Sequence, residues 1–286
     1  MLKQYINKFI LGTVQFGLNY GINNAIGQVS PQEVRKILSA CKENGITKLD
    51  TSAAYGNSEQ VLGEFIGNDF DVISKYPRSD QSVQAIFKNS LIHLGVNQIY
   101  GYLIHHFDFF EEHPSIWDEI SLLKEKKKIR KIGFSIYETK ELDFLLNNNI
   151  RFDLIQFPYN IFDRSFEPYL RILKKRNIEI HIRSIFLQGL FFKDLDTLPE
   201  KLQPLKFYLS ELKAFCQNQY LSIEEVALNY AIHNKDIDGV LLGVDNSMQL
   251  IKNIDSIWDK YPAEILDFVN LLNVKEKELL HPKNWN

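Results

Sequence analysis

The sequence predicts a single (β/α)8 barrel spanning residues 1–286, with an extra helix near the C-terminus. Three observations lead there. Short apolar runs alternate with amphipathic helical segments from end to end. Eight such runs can be marked, and eight strand–helix units favour a closed barrel over a doubly wound sheet. Several runs, such as Gly239-Val240-Leu241-Leu242-Gly243, carry Val, Ile, Leu and Phe with little alternation, as strands buried on both faces do.

The strands are expected at 9–14, 47–50, 70–75, 99–105, 131–135, 153–157, 178–184 and 239–243. Helical patterns lie at 31–44, 58–66, 82–94, 116–127, 140–147, 166–176, 204–217, 222–233 and 248–256, with the tail helix at 263–272. Pro31 suits a first helical position, with Ser30 as the cap before it. Asn57 or Ser58 is placed to cap the helix after the second strand, with Gln60 set for a capping box. The longest irregular stretch, 185–204, follows the seventh strand, and a loop of that length in a compact domain is usually functional. The basic run 124–131 reads as the end of a helix with a solvated face.

Composition narrows the function. Hydrophobic content of 45% and charge of 24% are ordinary for a globular chain. A net charge of −3 with a pI near 6.2 argues against a nucleic-acid partner. Cys41 and Cys216 are far apart in helical patterns and read as buried free thiols. Residues 1–10 are interrupted by Gln4, Asn7 and Lys8, unlike the apolar core of a signal peptide. No apolar run approaches the ~18 residues of a membrane span. The expectation is a cytoplasmic protein without a membrane partner, monomeric or weakly oligomeric.

The chemistry gathers where strands end, because a barrel brings those ends to one rim. The second strand ends in Asp50, with Tyr55 on its loop. The third ends in Ser74-Lys75, the fourth in His105-His106, and the fifth in Gly133-Phe134-Ser135. The sixth gives Gln156 and Asn160, and the seventh Arg183-Ser184. Singly, each has a plain alternative: Asp50 a helix cap, Lys75 a surface lysine, His105 a core histidine. Adjacent strand residues point to opposite faces, so His105 and His106 would not share an ion, and with no cysteine cluster no metal site is expected.

These residues carry a resemblance. Leu11-Gly12-Thr13, the stretch Asp50 to Glu59, Ser74-Lys75, Leu103-Ile104-His105, Lys131 to Ser135, Ile155 to Asn160, Arg183 to Gly189, and Gly243 with Asn253 follow the order of the aldo-keto reductase superfamily. Within Asp-Thr-Ser-Ala-Ala-Tyr-Gly, Ser52 stands where that family usually has alanine. The resemblance implies a nicotinamide-dependent oxidoreductase that reduces an aldehyde, ketone or sugar-like carbonyl, reversibly. Tyr55 would be its general acid, Lys75 would lower the Tyr55 pKa, Asp50 would hold Lys75, and His105 would orient the carbonyl. A charge ~4 Å away at an effective dielectric of ~20 is worth about 4 kcal/mol, enough to pull a phenol from ~10 toward roughly 7, with desolvation opposing it.

For the cofactor the resemblance implies Gly12 and Thr13 at the first strand, and Ser135 and Gln156 at the carboxamide, with Ile136 where relatives often carry Asn. Arg183 would stack on the nicotinamide. Ser184 and the backbone from Leu187 through Gly189 to Leu190 would reach the pyrophosphate, and Gly243, Gln249 and Asn253 the adenosine end. NADP(H) is the family default. NAD(H) stays open, because Gln249 falls where an arginine often lies. Two other readings exist: a cofactor-binding regulatory or scaffold protein on the same barrel, and a Schiff-base lyase using Lys75. For the substrate, Phe16, Tyr20, Phe107, Tyr137 and Phe162 are candidate pocket walls or ordinary packing. The family's long C-terminal substrate loop is not evident after the tail helix, which suggests an open pocket.

Overall fold

The strand pattern closes as expected. The structure, a computed structural model, describes residues 5–24 and 26–285; the remaining part of the reading of residues 1–10 lies outside them. The strands are β1 (Phe9–Gly12), β2 (Lys48–Asp50), β3 (Asp71–Tyr76), β4 (Ile99–Ile104), β5 (Ile129–Ser135), β6 (Leu154–Pro158), β7 (Glu179–Arg183) and β8 (Gly239–Gly243). All pairs are parallel, and β8 returns to β1 with Gly12 opposite Gly243, so the sheet is a closed eight-stranded barrel. Closure leaves no open sheet edge and explains the unalternating strands, which are covered on both faces.

The helices are α1 (Pro31–Glu43), α2 (Ser58–Gly63), α3 (Val83–Leu94), α4 (Phe107–Glu112), α5 (Ile116–Glu125) and α6 (Thr139–Asn147). They continue with α7 (Leu170–Lys175), α8 (Lys206–Asn218), α9 (Ile223–Ile232), α10 (Ser247–Asp255) and the tail helix α11 (Ala263–Leu271). The start of α1 is as the sequence predicts: the Ser30 hydroxyl accepts from the Glu33 amide and Pro31 opens the helix. A reciprocal Ser222–Glu225 capping box starts α9.

Several details differ from the sequence expectation. Helix α4 went unread because Phe-Asp-Phe-Phe-Glu-Glu has no clear helical period. The irregular stretch after β7 contains three short 3-10 turns, Leu187–Phe192, Leu195–Thr197 and Glu200–Leu205. Pro168 and Pro204 both sit in 3-10 turns, so α7 and α8 begin later than expected. The basic run 124–131 divides: Lys124 pairs with Asp153 at 2.7 Å, and Lys131 lies on β5 and bonds Glu179.

Inside the barrel, Ile10, Ile73, Leu103, Leu154 and Leu241 form a small apolar plug. The larger core fills the layer between strands and helices. Below the plug the floor is charged. Glu179 accepts from Lys48 at 3.2 Å, Tyr100 at 2.7 Å, His181 Nε2 at 2.6 Å, and Lys131. His181 is buried and its Nδ1 has no partner among the described residues. Burial alone would raise the Glu179 pKa, but the His181, Lys131 and Tyr100 donors override it and hold the carboxyl far below the usual carboxylate range.

A folded-state pKa below the unfolded value contributes stability that is fully present above pH ~4.3 and lost progressively as pH falls from there toward the much lower folded value. Glu179→Ala should destabilise the barrel by about 3 kcal/mol in urea unfolding at pH 7, the low end for a broken buried pair because both lysines reach solvent. It should also flatten the loss of stability between roughly pH 5 and 3.

Candidate active site

At the opposite end of the barrel, β2 and β3 carry a second ion pair. Lys75 and Asp50 are both fully enclosed, with Lys75 Nζ 2.5 Å from Asp50 Oδ1. The same ammonium donates to the Thr51 carbonyl at 2.8 Å. The other Asp50 oxygen accepts from Gln156 Nε2 at 2.8 Å, and Gln156 Oε1 accepts from the Ser135 hydroxyl at 3.3 Å. Desolvating two charges is costly unless hydrogen bonds complete them, and β6 and β5 supply those bonds.

Tyr55 is set above the pair by its loop. A Cβ on Gly17 would stand 1.8 Å from the Tyr55 carbonyl oxygen, so only glycine lets the β1 loop pass there. The predicted cap after β2 does not form: neither Asn57 nor Ser58 caps α2 through its side chain. Ser58 is buried instead and donates to the Thr13 carbonyl at 2.9 Å, with the Thr13 and Thr51 hydroxyls at 3.0 and 3.1 Å. It ties the ends of β1 and β2 together. Gln60 turns outward to His93.

The Lys75 ammonium lies over the Tyr55 ring, 5.1 Å from its centre, without a hydrogen bond to the hydroxyl. The His105 ring meets Tyr55 edge-on, with centres 5.6 Å apart. Burial raises the Tyr55 pKa, with Asp50 and Tyr137 adding to it and Arg183 opposing. In the free protein the net direction is upward, because desolvation of the phenolate outweighs the opposing Arg183 charge, and the phenol stays protonated. Burial also lowers the Lys75 pKa, against the pull of Asp50. His105 falls well below its ordinary value, first by burial and then by the charges of Lys75, His106 and Arg183, so the imidazole is neutral.

Which nitrogen of His105 carries the proton follows from Ser52, a buried residue. Its hydroxyl oxygen accepts from the Ala54 amide at 3.1 Å and lies 3.1 Å from His105 Nδ1. If Nδ1 carried the proton, the buried Ser52 O–H would have no acceptor. If Ser52 donates to Nδ1, every group is satisfied and the ring proton sits on Nε2. His105 and His106 lie just past the end of β4, so strand alternation does not separate them; their rings are 4.7 Å apart. Among the described residues no cluster of His, Cys, Asp or Glu could hold a metal.

A cavity of about 450 Å³ opens over this group. Asp50, Tyr55 and His105 line it, while Lys75 lies behind them. Gly12, Thr13, Ser135, Gln156, Arg183, Ser184, Gly189, Gly243, Gln249 and Asn253 also line it. Leu187 does not; its side chain is packed in the core. Of the aromatic candidates, Tyr20 and Tyr137 line the cavity, whereas Phe16, Phe107 and Phe162 are core. The two sets differ by a hydroxyl: both lining residues are tyrosines and all three core residues are phenylalanines, and that polar tip is the signal that could have separated them. Arg183 stacks on Tyr137, its guanidinium 3.9 Å from the ring centre, and donates to the Ile136 carbonyl at 3.0 Å. The C-terminal residues also reach this rim: His281 and Lys283 stand against Tyr137.

After β7 the backbone turns left-handed at Ser184, Leu187, Gln188 and Gly189, with φ of 62°, 48°, 52° and 90°. Non-glycine residues held there cost of order ~1–3 kcal/mol each, and such strain gathers at ligand clamps. Among the lining residues that sequence reasoning did not single out are Gln15, Asn23, Asn24, Phe192, Glu224 and Asp245. Only the long loop after β7 signalled one of them, Phe192.

Residues 8–270 match the Aldo/keto reductase family. The chain belongs to that family. As an aldo/keto reductase it is an oxidoreductase acting on carbonyl groups. It is 26% identical over 249 residues to the uncharacterized oxidoreductase YqkF of Bacillus subtilis, covering 77% of this chain and 80% of that protein. It is 24% identical over 273 residues to L-galactose dehydrogenase of Arabidopsis thaliana, covering 87% and 85%. Methylglyoxal reductase DkgA of Yersinia pestis is 30% identical over 129 residues, 43% of this chain and 47% of that protein. In fold, the reductase resembles the holo form of aldo-keto reductase AKR11C1 from Bacillus halodurans, with a TM-score of 0.74 at 19% identity, covering 98% and 95% of the two chains. Among the described residues no helix is long and apolar enough to cross a membrane.

The Ser52 bond has a spectroscopic consequence. Nitrogen-15 NMR of histidine-labelled protein, with His105→Gln to identify the signal, should show a protonated Nε2 and a bare Nδ1. Ser52→Ala should give a mixture of tautomers, and Ser52→Thr should keep the wild-type form.

Proposed function

We propose that this aldo/keto reductase uses a nicotinamide cofactor, NAD(P)H, to reduce an aldehyde, ketone or sugar-like carbonyl to the alcohol, and can run in reverse. The observation that carries the proposal is the joint exposure of Tyr55 and His105 to one cavity, with the Lys75–Asp50 pair directly behind. The relatives named for methylglyoxal and L-galactose support a small aldehyde or sugar-like substrate.

The cavity suits such a cofactor. Gln15 Oε1 and Asp245 Oδ1 are buried oxygens without a partner among the described residues, and both residues line it. A Cβ on Gly243 would stand 2.6 Å from the Gln15 amide nitrogen, so the glycine keeps that wall open. Ser135 and Gln156 would hold the carboxamide. Ser184 and Gly189, on the left-handed segment, would meet the pyrophosphate, and Gly243, Gln249 and Asn253 the adenosine half. Arg183 would turn from Tyr137 toward the ring. Bound there, the cofactor supplies the hydride.

The chain's own residues handle the proton and the carbonyl. His105 donates from Nε2 to the carbonyl oxygen and fixes its position. Tyr55 gives its hydroxyl proton to that oxygen as negative charge develops on it. The Lys75 cation stabilises the phenolate left behind, and Asp50 holds Lys75 charged and in place. The lyase reading loses support, since Lys75 does not line the cavity and its ammonium is committed to Asp50 and Thr51. A regulatory binding module would have no use for Tyr55.

Tyr55→Phe should lower kcat/KM for aldehyde reduction by about 10²–10⁴-fold while cofactor still binds. Full retained activity would remove Tyr55 from the mechanism. Because the Tyr55 pKa is raised above its ordinary ~10, reduction should show no alkaline loss from this group up to roughly pH 9. A pH–rate profile of kcat checks this.

A further inference from the structure

We propose that this reductase selects NADH over NADPH, with Asp245 reading an adenosine ribose that lacks a 2′-phosphate. The inference rests on the preceding reading that the cavity holds a nicotinamide dinucleotide. With the nicotinamide beside Tyr55 and His105, the adenosine half falls on the far side of the rim. That side is formed by the loop after β8, which lies across the barrel from β4, and by the starts of α9 and α10.

Three features of that wall disfavour a 2′-phosphate. The first is charge. The ionisable side chains lining it are Glu224 and Asp245, and among the described residues no lysine or arginine lines it. Arg183 is the cavity's guanidinium, and it sits at the catalytic end against Tyr137. Lys36 and Lys252 are close in the fold, but each is paired with a carboxylate, Glu33 at 3.1 Å and Glu224 at 2.7 Å, and neither lines the cavity.

The second feature is an unfilled hydrogen-bonding position. Asp245 Oδ1 is shielded from solvent and has no donor among the described residues. Its backbone amide is held by Gln249 Oε1 at 2.8 Å, which anchors the residue. A ribose 2′-hydroxyl supplies the missing donor. A 2′-phosphate supplies none and brings roughly two negative charges. An acidic side chain on a ribose diol is a general means of reading an unphosphorylated ribose.

The third feature is that the amino end of α10, where an anion would be welcome, is already taken. The Glu33 carboxylate accepts from both the Ser247 amide and the Ser247 hydroxyl at 2.8 Å. An internal carboxylate thus fills the place an incoming phosphate would need. These observations act together: no cation attracts a 2′-phosphate, one oxygen lacks the donor a hydroxyl provides, and the helix dipole is neutralised from within.

The test is direct binding. The intact protein is titrated separately with NADH and NADPH, following quenching of its tryptophan fluorescence. NADH should bind at least about tenfold more tightly, a gap of ~1.4 kcal/mol. Asp245→Asn should narrow the ratio at least about threefold, chiefly by tightening NADPH. Equal or tighter binding of NADPH by the wild type overturns the inference and leaves the dinucleotide reading intact. An unchanged ratio in Asp245→Asn removes Asp245 as the selecting residue. If neither cofactor binds, both the inference and the reading it rests on fall.

Discussion

The enclosed Lys75–Asp50 pair is the constraint around which the catalytic end is arranged. Two charges taken from water need compensation at every remaining lone pair and proton, and four strand ends or loops supply it. Thr51 and Asp50 come from the end of β2, Lys75 from β3, and Gln156 from β6, steadied by Ser135 of β5. Removing either charge would leave the other buried and alone. The same bonds that make the pair tolerable therefore lock the relative heights of these strands, and with them the positions of Tyr55 and His105.

The barrel has charge at both ends and hydrocarbon between. At the floor, Glu179 gathers Lys48, Lys131, Tyr100 and His181; at the rim, Asp50 gathers Lys75 and Gln156. The plug of Ile10, Ile73, Leu103, Leu154 and Leu241 separates the two networks. The rim is also graded along the cavity. Arg183 stands at the Tyr55 side, where Lys75 is matched by Asp50, and Glu224 and Asp245 stand without a lining cation at the β8 side. A neutral His105 and a protonated Tyr55 both offer protons into the space between, and burial is the main cause of both states.

Much of the fold was legible before any coordinates. All eight strands appear within a few residues of their expected bounds, because strands covered on both faces leave dense apolar runs in the sequence. The acid, phenol, lysine and histidine were legible as a set because a barrel collects residues from strand ends. What stayed hidden depended on direction. Lys131 looked like part of a solvated run and points to the barrel floor. Ser58 looked like a helix cap and clamps two loops. Phe16, Phe107 and Phe162 resembled Tyr20 and Tyr137 as pocket walls but belong to the core.

The linear order of residues determined the architecture, the family and the four groups gathered at one rim, since these follow from apolar periodicity and from strand-end position. Only the folded chain decided the state of those groups. The Tyr55 phenol is pushed up because it is desolvated, the His105 tautomer is set by a hydroxyl from another strand's loop, and Asp245 lines the cavity with one shielded oxygen that has no donor among the described residues. Burial, hydrogen-bond completion and local charge are sums over neighbours distant in sequence, so they have no signature in any single stretch of it.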